Sequence, residues 1–194
     1  MSISFEPLGR DRTDRALRDA AGLIYDTDPY IYPAMFASRE DALRVLPEMI
    51  RGGDRMFRPE NLFVAASGEA VTGIVLWHRG SLRWDEAVYR ACGGDSPWIG
   101  EVRDRYFSSY ASVPPGTVSL LNVCTSVRGR GMGGRMLDAF LRAVPGPYEL
   151  YVLADNAAAI RLYERKGFTV TERLQGFSVP ARDLPCLKME KGVV

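Results

Sequence analysis

The segment Val118-Ser-Leu-Leu-Asn-Val-Cys-Thr-Ser-Val127 runs directly into Arg128-Gly-Arg-Gly-Met-Gly-Gly134. The first ten residues are strand-like, but their alternation slips. Val118 and Leu120 share one parity, and Leu121 and Val123 share the other. A phase change inside a strand marks a bulge, and bulges sit beside functional sites because they free backbone groups from the ladder. The glycines that follow permit backbone angles closed to other residues. Their N–H groups can converge on one concavity, and a helix starting there adds a partial positive charge. That is a setting for a phosphate or pyrophosphate, with Arg128 and Arg130 adding charge at its rim. No Lys followed by Ser or Thr comes after the glycines, so a Walker-type loop is excluded.

Working outward, Arg135 to Val144 is expected to be a helix with Met136, Leu137, Phe140, Leu141 and Val144 on one side, ended by Pro145-Gly-Pro147. Tyr148 to Ala154 is a buried strand. Asn156 then caps a helix to Lys166, with Gly167 in the position of a C′ glycine. Phe168 to Arg173 and Cys186 to Glu190 complete the strands.

On the N-terminal side, Ser2 to Leu8 is a short strand. Thr13 caps a helix with an apolar stripe of Leu17, Ala20, Ala21 and Ile24. Asp26, Asp28 and Tyr30 fall in a loop before a helix begun at Ser38, which Pro47 should kink or break. Leu62 to Ala66 and Gly73 to His78 form a hairpin. Residues 81–116 carry two helical patterns, one around Trp84, Val88 and Tyr89 and one over Pro97 to Tyr110.

Composition narrows the functional classes. The chain has 194 residues, 46% hydrophobic and 25% charged, as in an ordinary globular domain. The expectation is one α+β domain over residues 1–194, a mixed, mostly antiparallel sheet flanked by helices with a helical insert between strands 3 and 4. Lys plus Arg number 25 against 24 for Asp plus Glu, so the basic excess of a nucleic-acid binder is missing. Only three Cys occur, an odd and sparse set that argues against a disulfide framework and against a zinc site with paired Cys spacing. No run is long enough to span a bilayer, and Met1 to Arg15 has no apolar signal core, so the expected compartment is the cytoplasm.

Two motifs compete for the glycine turn. Gly129-Arg-Gly131-Met-Gly-Gly134 is a literal GxGxxG, with Asp155 about 20 residues on, as an NAD(P)-binding oxidoreductase would have it. It starts late in the chain, however, and hairpin-linked strands precede it. The alternative needs two blocks together. Arg128-Gly-Arg-Gly131-Met-Gly133 and Asn156-Ala-Ala-Ala159-Ile-Arg-Leu162-Tyr163-Glu-Arg-Lys-Gly167-Phe168 resemble, respectively, the Arg/Gln-x-x-Gly-x-Gly/Ala loop and the Asn-x-x-Ala…Leu-Tyr…Gly-Phe helix of the GNAT superfamily of acetyl-CoA-dependent N-acyltransferases. One departure is Thr125, where that family often has Pro.

The resemblance implies acetyl-CoA as cosubstrate and no metal. The pantetheine arm would lie against main-chain groups at Asn122, Val123 and Thr125, and the pyrophosphate on Arg128, Gly129, Arg130, Gly131, Met132, Gly133 and Gly134. Asn156 and Tyr163, two helical turns apart, would face the thioester, with Tyr163 protonating the leaving thiolate. The loop holding Asp26, Asp28 and Tyr30 would border the acceptor groove. Glu101, His78 and Asp26 are candidates for the base. The acceptor would be a small-molecule amine or a protein or peptide amine, and a homodimer is left open. A CoA-binding module without catalysis is the non-enzymatic alternative.

Overall fold

The computed structural model describes residues 3–52, 54–127, 129, 131–179 and 182–192. Seven strands form one sheet: β1 (Ser4–Pro7), β2 (Leu62–Ser67), β3 (Ala70–Arg79), β4 (Val118–Thr125), β5 (Tyr148–Leu153), β6 (Thr169–Val179) and β7 (Arg182–Lys191). Their order is β1-β2-β3-β4-β5-β7-β6. Only β4 and β5 run parallel, and every other pair is antiparallel. The helices are α1 (Asp14–Thr27), α2 (Ile31–Met35), α3 (Arg39–Gly52), α4 (Glu86–Ala91), α5 (Ile99–Arg105), α6 (Met132–Ala143) and α7 (Ala157–Arg165). The mixed α+β class and the helical insert, α4 and α5 between β3 and β4, are as expected. No helix among the described residues is long and apolar enough to cross a membrane.

Each sheet face covers its own core. On one side α1, α2, α3 and the insert bury Ile24, Tyr32, Met49, Tyr89 and Tyr110 against the sheet. On the other, α6 and α7 bury Met136, Phe140 and Tyr163 against Leu120, Leu150 and Val152. The slipped alternation of β4 divides its side chains between these cores. Leu76 pairs with Asn122 and Trp77 pairs with Leu120, leaving Leu121 as the extra residue. The bulge therefore stands where the parity change in the sequence put it.

Several expectations need correction. Pro47 does not end α3, which continues to Gly52. Interior proline costs about 3 kcal/mol, but Val45, Leu46, Met49 and Ile50 on both sides of it are wholly buried, and that packing holds the helix. α2 was not anticipated; it is one short turn begun where Asp28 accepts the N–H of Tyr30 at 2.7 Å and of Ile31 at 2.8 Å. Pro97 to Tyr110 is not one helix but α5 followed by a 3-10 turn over Phe107–Tyr110. α6 starts at Met132 rather than Arg135, so Gly133 and Gly134 lie in its first turn. β6 and β7 are longer than the alternation suggested. Leu184 pairs with Phe177 and Cys186 with Leu174, so the β6–β7 register is irregular at Pro185, whose carbonyl accepts the N–H of Ala154 at 2.9 Å just past the end of β5.

Candidate active site

The parallel pairing of β4 and β5 stops early. It covers Val118↔Tyr148, Ser119↔Glu149 and Leu120↔Leu150 and goes no further. Beyond the bulge the two strands diverge, and Asn122 to Thr125 keep a β3 partner on one edge only. A cavity of about 380 Å³ opens at this divergence. Its walls come from both sequence blocks and from the α1–α2 connection: Asn122 and Val123 on β4, Asn156 and Tyr163 around α7, and Asp28 and Tyr30 between α1 and α2. Tyr106 from the insert, Tyr151 on β5 and Cys186 on β7 complete it. A larger groove of about 940 Å³ lies between α1 and α3. Its charged side chains Arg51, Glu48, Asp14, Arg44 and Asp41 pair with one another, and it lies away from both sequence blocks.

Of the residues singled out in the sequence, Asn122, Val123, Asn156 and Tyr163 meet in the cavity, together with Asp28 and Tyr30 of the acceptor-groove loop and with Asp155. Asn122 is buried, and its Oδ1 accepts the Tyr32 hydroxyl at 2.6 Å. Asn156 caps α7, accepting the N–H of Ala159 at 3.1 Å. Tyr163 is only 8% exposed, and its ring meets Phe168 edge-on at 5.8 Å. Its hydroxyl has no hydrogen-bond partner among the described residues. Burial first, and then Cys124, hold its pKa well above that of an ordinary phenol, so it stays protonated.

The glycine turn lies off this cavity, past the end of β4. Thr125 donates its hydroxyl to the carbonyl of Val127 at 2.7 Å, which turns the chain toward the loop. Gly129 and Gly131 have φ of +77° and +64°, and a Cβ on either would meet nothing within 4 Å. Both therefore border open space in a conformation that favours glycine. Gly131 is also the N-cap of α6, without a side chain to satisfy the first N–H groups. Gly133 and Gly134 differ: a Cβ there would lie 3.7 Å from Thr125 and 3.8 Å from Leu162 respectively, so they bring α6 close to β4 and α7. The Met132 side chain is buried in the core, leaving only its main chain for a ligand. Arg128 and Arg130 lie outside the described residues.

None of the three base candidates reaches the cavity. Asp26 is paired with Arg39 through two contacts of 2.9 Å. His78 stands 3.1 Å from the Gly80 carbonyl through Nδ1, and burial lowers its pKa. Glu101 is exposed, 3.9 Å from Arg105. The sequence reading missed Tyr106, Tyr151, Cys186 and Tyr32. Tyr151 was accessible from parity, since it lies on the face of β5 opposite Leu150. The others reach the site through tertiary closure alone.

A family model described as the acetyltransferase (GNAT) family matches residues 48–168. A mycothiol acetyltransferase of Corynebacterium aurimucosum is 39% identical over 61 residues, 29% of this chain and 20% of that protein. The chain thus aligns with about a fifth of that relative's length. An N-acetyltransferase from Staphylococcus aureus Mu50 superposes with a TM-score of 0.69 at 16% identity, covering 97% of this chain and all (100%) of that one. The structure of yncA from Salmonella typhimurium with acetyl-CoA gives 0.59 at 17% identity, covering 100% and 95%. Arabidopsis thaliana NAA60 in complex with acetyl-CoA gives 0.58 at 22%, covering 99% and 100%. At these identities the likeness of the solved structures is one of fold.

Proposed function

The chain is an acyltransferase of the GNAT family, and from that membership we propose that it moves the acetyl group of acetyl-CoA onto a primary amine by direct attack. The observation that carries this reading is the edge of β4 beyond Leu120, which has no β5 partner among the described residues and opens onto a cavity that Tyr163 also lines. The residues fit the cosubstrate at both ends. Main-chain groups of Val123 and Thr125 lie on the stretch of β4 that has lost its β5 neighbour, free to bond an extended amide-bearing arm, whereas the alternation that turns the Ser126 N–H to Thr72 turns the main chain of Asn122 toward β3 as well. Gly129 and Gly131 border open space at the N-terminus of α6, which suits a pyrophosphate. Met132, Gly133 and Gly134 contribute N–H groups from the first turn, and Arg128 and Arg130 flank them in sequence.

The chemistry then follows from the side chains. An amine of pKa ~10.4 is neutral in about one part per thousand at pH 7, so it must first release a proton to the water of the open cleft. Its lone pair attacks the thioester carbonyl carbon, and an N–H on the free edge of β4 stabilises the developing oxyanion. The carbon–sulfur bond breaks, the thiolate takes the phenolic proton of Tyr163, and the phenolate is reprotonated from solvent. The products are the acetamide and free CoA thiol. Asn156, capping α7, orients the helix that carries Tyr163.

A dinucleotide fold is built from two βαβαβ halves. Here β4-α6-β5 is the single parallel crossover among the described residues. Thermal unfolding separates the two ligands. At ~100 times its dissociation constant acetyl-CoA should stabilise the chain by about 2.7 kcal/mol, whereas NAD and NADP should leave it unchanged. Stabilisation by NAD with none by CoA would reverse the assignment.

A further inference from the structure

The charges around the cavity are one-sided. Asp28 and Asp155 line it, and no Lys, Arg or His among the described residues does. The Asp28 carboxylate is anchored through one oxygen only: Oδ1 takes both N–H groups of Tyr30 and Ile31, while Oδ2 has no hydrogen bond to any described residue. Asp26, two positions earlier, is neutralised by Arg39 and lies outside this cavity. The nearest ammonium on this face of the sheet, Lys188, is held by Glu149 at 3.2 Å and Glu190 at 2.7 Å. Around Asp28 stand the rings of Tyr30, Tyr106 and Tyr151, surfaces that attract a cation. The floor registers the resulting field: burial, then Asp28, then Asp155 push the Cys186 thiol up to about 12.

We propose that Asp28 selects the acceptor by charge, its free Oδ2 binding the ammonium of an amine that carries no carboxylate, so that zwitterionic amino acids are rejected. The selection rests on the acetyl-transfer reading, since the ammonium held at Asp28 is the one that then loses its proton and attacks. Rejection has the same origin as attraction. A carboxylate entering this cavity loses water and finds no cation among the described lining residues to replace it, which is the costly case for a buried charge. An amide or second ammonium in the same place meets tyrosine hydroxyls and Asp155 instead.

The test uses the full chain with saturating acetyl-CoA and three acceptors of one carbon skeleton: terminal diaminobutane, the terminal aminobutanamide and the terminal aminobutanoate. The diamine and the amide should exceed the amino acid by about tenfold or more in kcat/KM, the scale of one charge contact. Asp28→Asn should raise the KM for diaminobutane about tenfold, leave the KM for acetyl-CoA unchanged, and shrink the preference of amide over carboxylate to within about threefold. Equal use of the aminobutanoate, or an unchanged preference in Asp28→Asn, overturns the assignment. Calorimetric binding of diaminobutane, measured without turnover, separates the two layers. Asp28-dependent binding without CoA release upholds the anchor and removes the transfer reading, whereas binding indifferent to Asp28→Asn removes the anchor.

Discussion

Tyr32 on α2 and Asn122 on β4 are 90 positions apart in sequence and joined by a 2.6 Å hydrogen bond, the phenol donating to the amide oxygen. Asn122 is the residue directly after the bulged Leu121, so this bond ties the short helix over the cavity to the point where β4 leaves β5. Both partners are buried. Removing the donor strands a buried acceptor, which costs about 1–3 kcal/mol. Tyr32→Phe should therefore lose that much in urea unfolding. It should also weaken turnover, because α2 and Asp28 lose their fastening to the strand edge.

Tyr163→Phe is the opposite case. The hydroxyl makes no bond to the described residues, and the ring keeps its edge-on contact with Phe168. Stability and the KM for acetyl-CoA should change little. The turnover number should fall about 10²-fold, the lower range for a general acid, since water partly substitutes. Because burial and Cys124 keep the phenol protonated, kcat should rise with pH as the amine deprotonates and then level, with no alkaline fall from Tyr163. Wild-type turnover by the Phe variant, with chemistry rate-limiting, would make Tyr163 a packing residue.

The glycines of the turn divide into two kinds. Gly131 holds φ of +64°, so Gly131→Ala should cost about 1–2 kcal/mol and loosen acetyl-CoA. Gly133 has an ordinary helical position with room for a methyl group, so Gly133→Ala should be neutral or add up to about 1 kcal/mol. Gly133→Asp should likewise fold, yet weaken acetyl-CoA about tenfold by repelling its phosphates. Chemical denaturation and calorimetry on the three variants read both effects.

Asp28 should carry a stability penalty for its role. Burial raises its pKa, outweighing the two N–H groups that lower it. The folded state therefore prefers the protonated acid. Stability is full below the unfolded carboxyl pKa of ~3.9 and declines as pH rises through the folded value. Asp28→Asn carries no charge to desolvate, so it should melt higher than wild type at pH 7, with the gap closing toward pH 3. A variant less stable at neutral pH would mean that the charged N–H contacts dominate instead.

Local periodicity made most of this legible. The parity slip between Leu120 and Leu121 located the bulge, and Asn156 to Gly167 located a capped helix, because each is written in neighbouring residues. The glycine string was read as turn through to Gly134, when Met132 already begins α6: glycine's low helix propensity was overridden by close packing on Thr125 and Leu162. The catalytic tyrosine candidate was visible on its helix face, and Asp28 and Tyr30 lie at the groove where the resemblance put their loop, but Tyr106, Tyr151 and Cys186, which wall the same half of the cavity, were not visible. Asp28, Tyr106, Tyr151 and Cys186 come from four separate segments, and only the folding of α2 and the insert over the sheet brings them together.

The most direct measurement of acetyl transfer is mass spectrometry of the amine, with thiol titration, after the full chain is mixed with acetyl-CoA and terminal diaminobutane. The account predicts one acetyl group on the amine for each CoA thiol released, at a rate about 10²-fold lower for Tyr163→Phe. Thiol release without an acetylated amine, or no release from a chain that acetyl-CoA demonstrably stabilises, would contradict it.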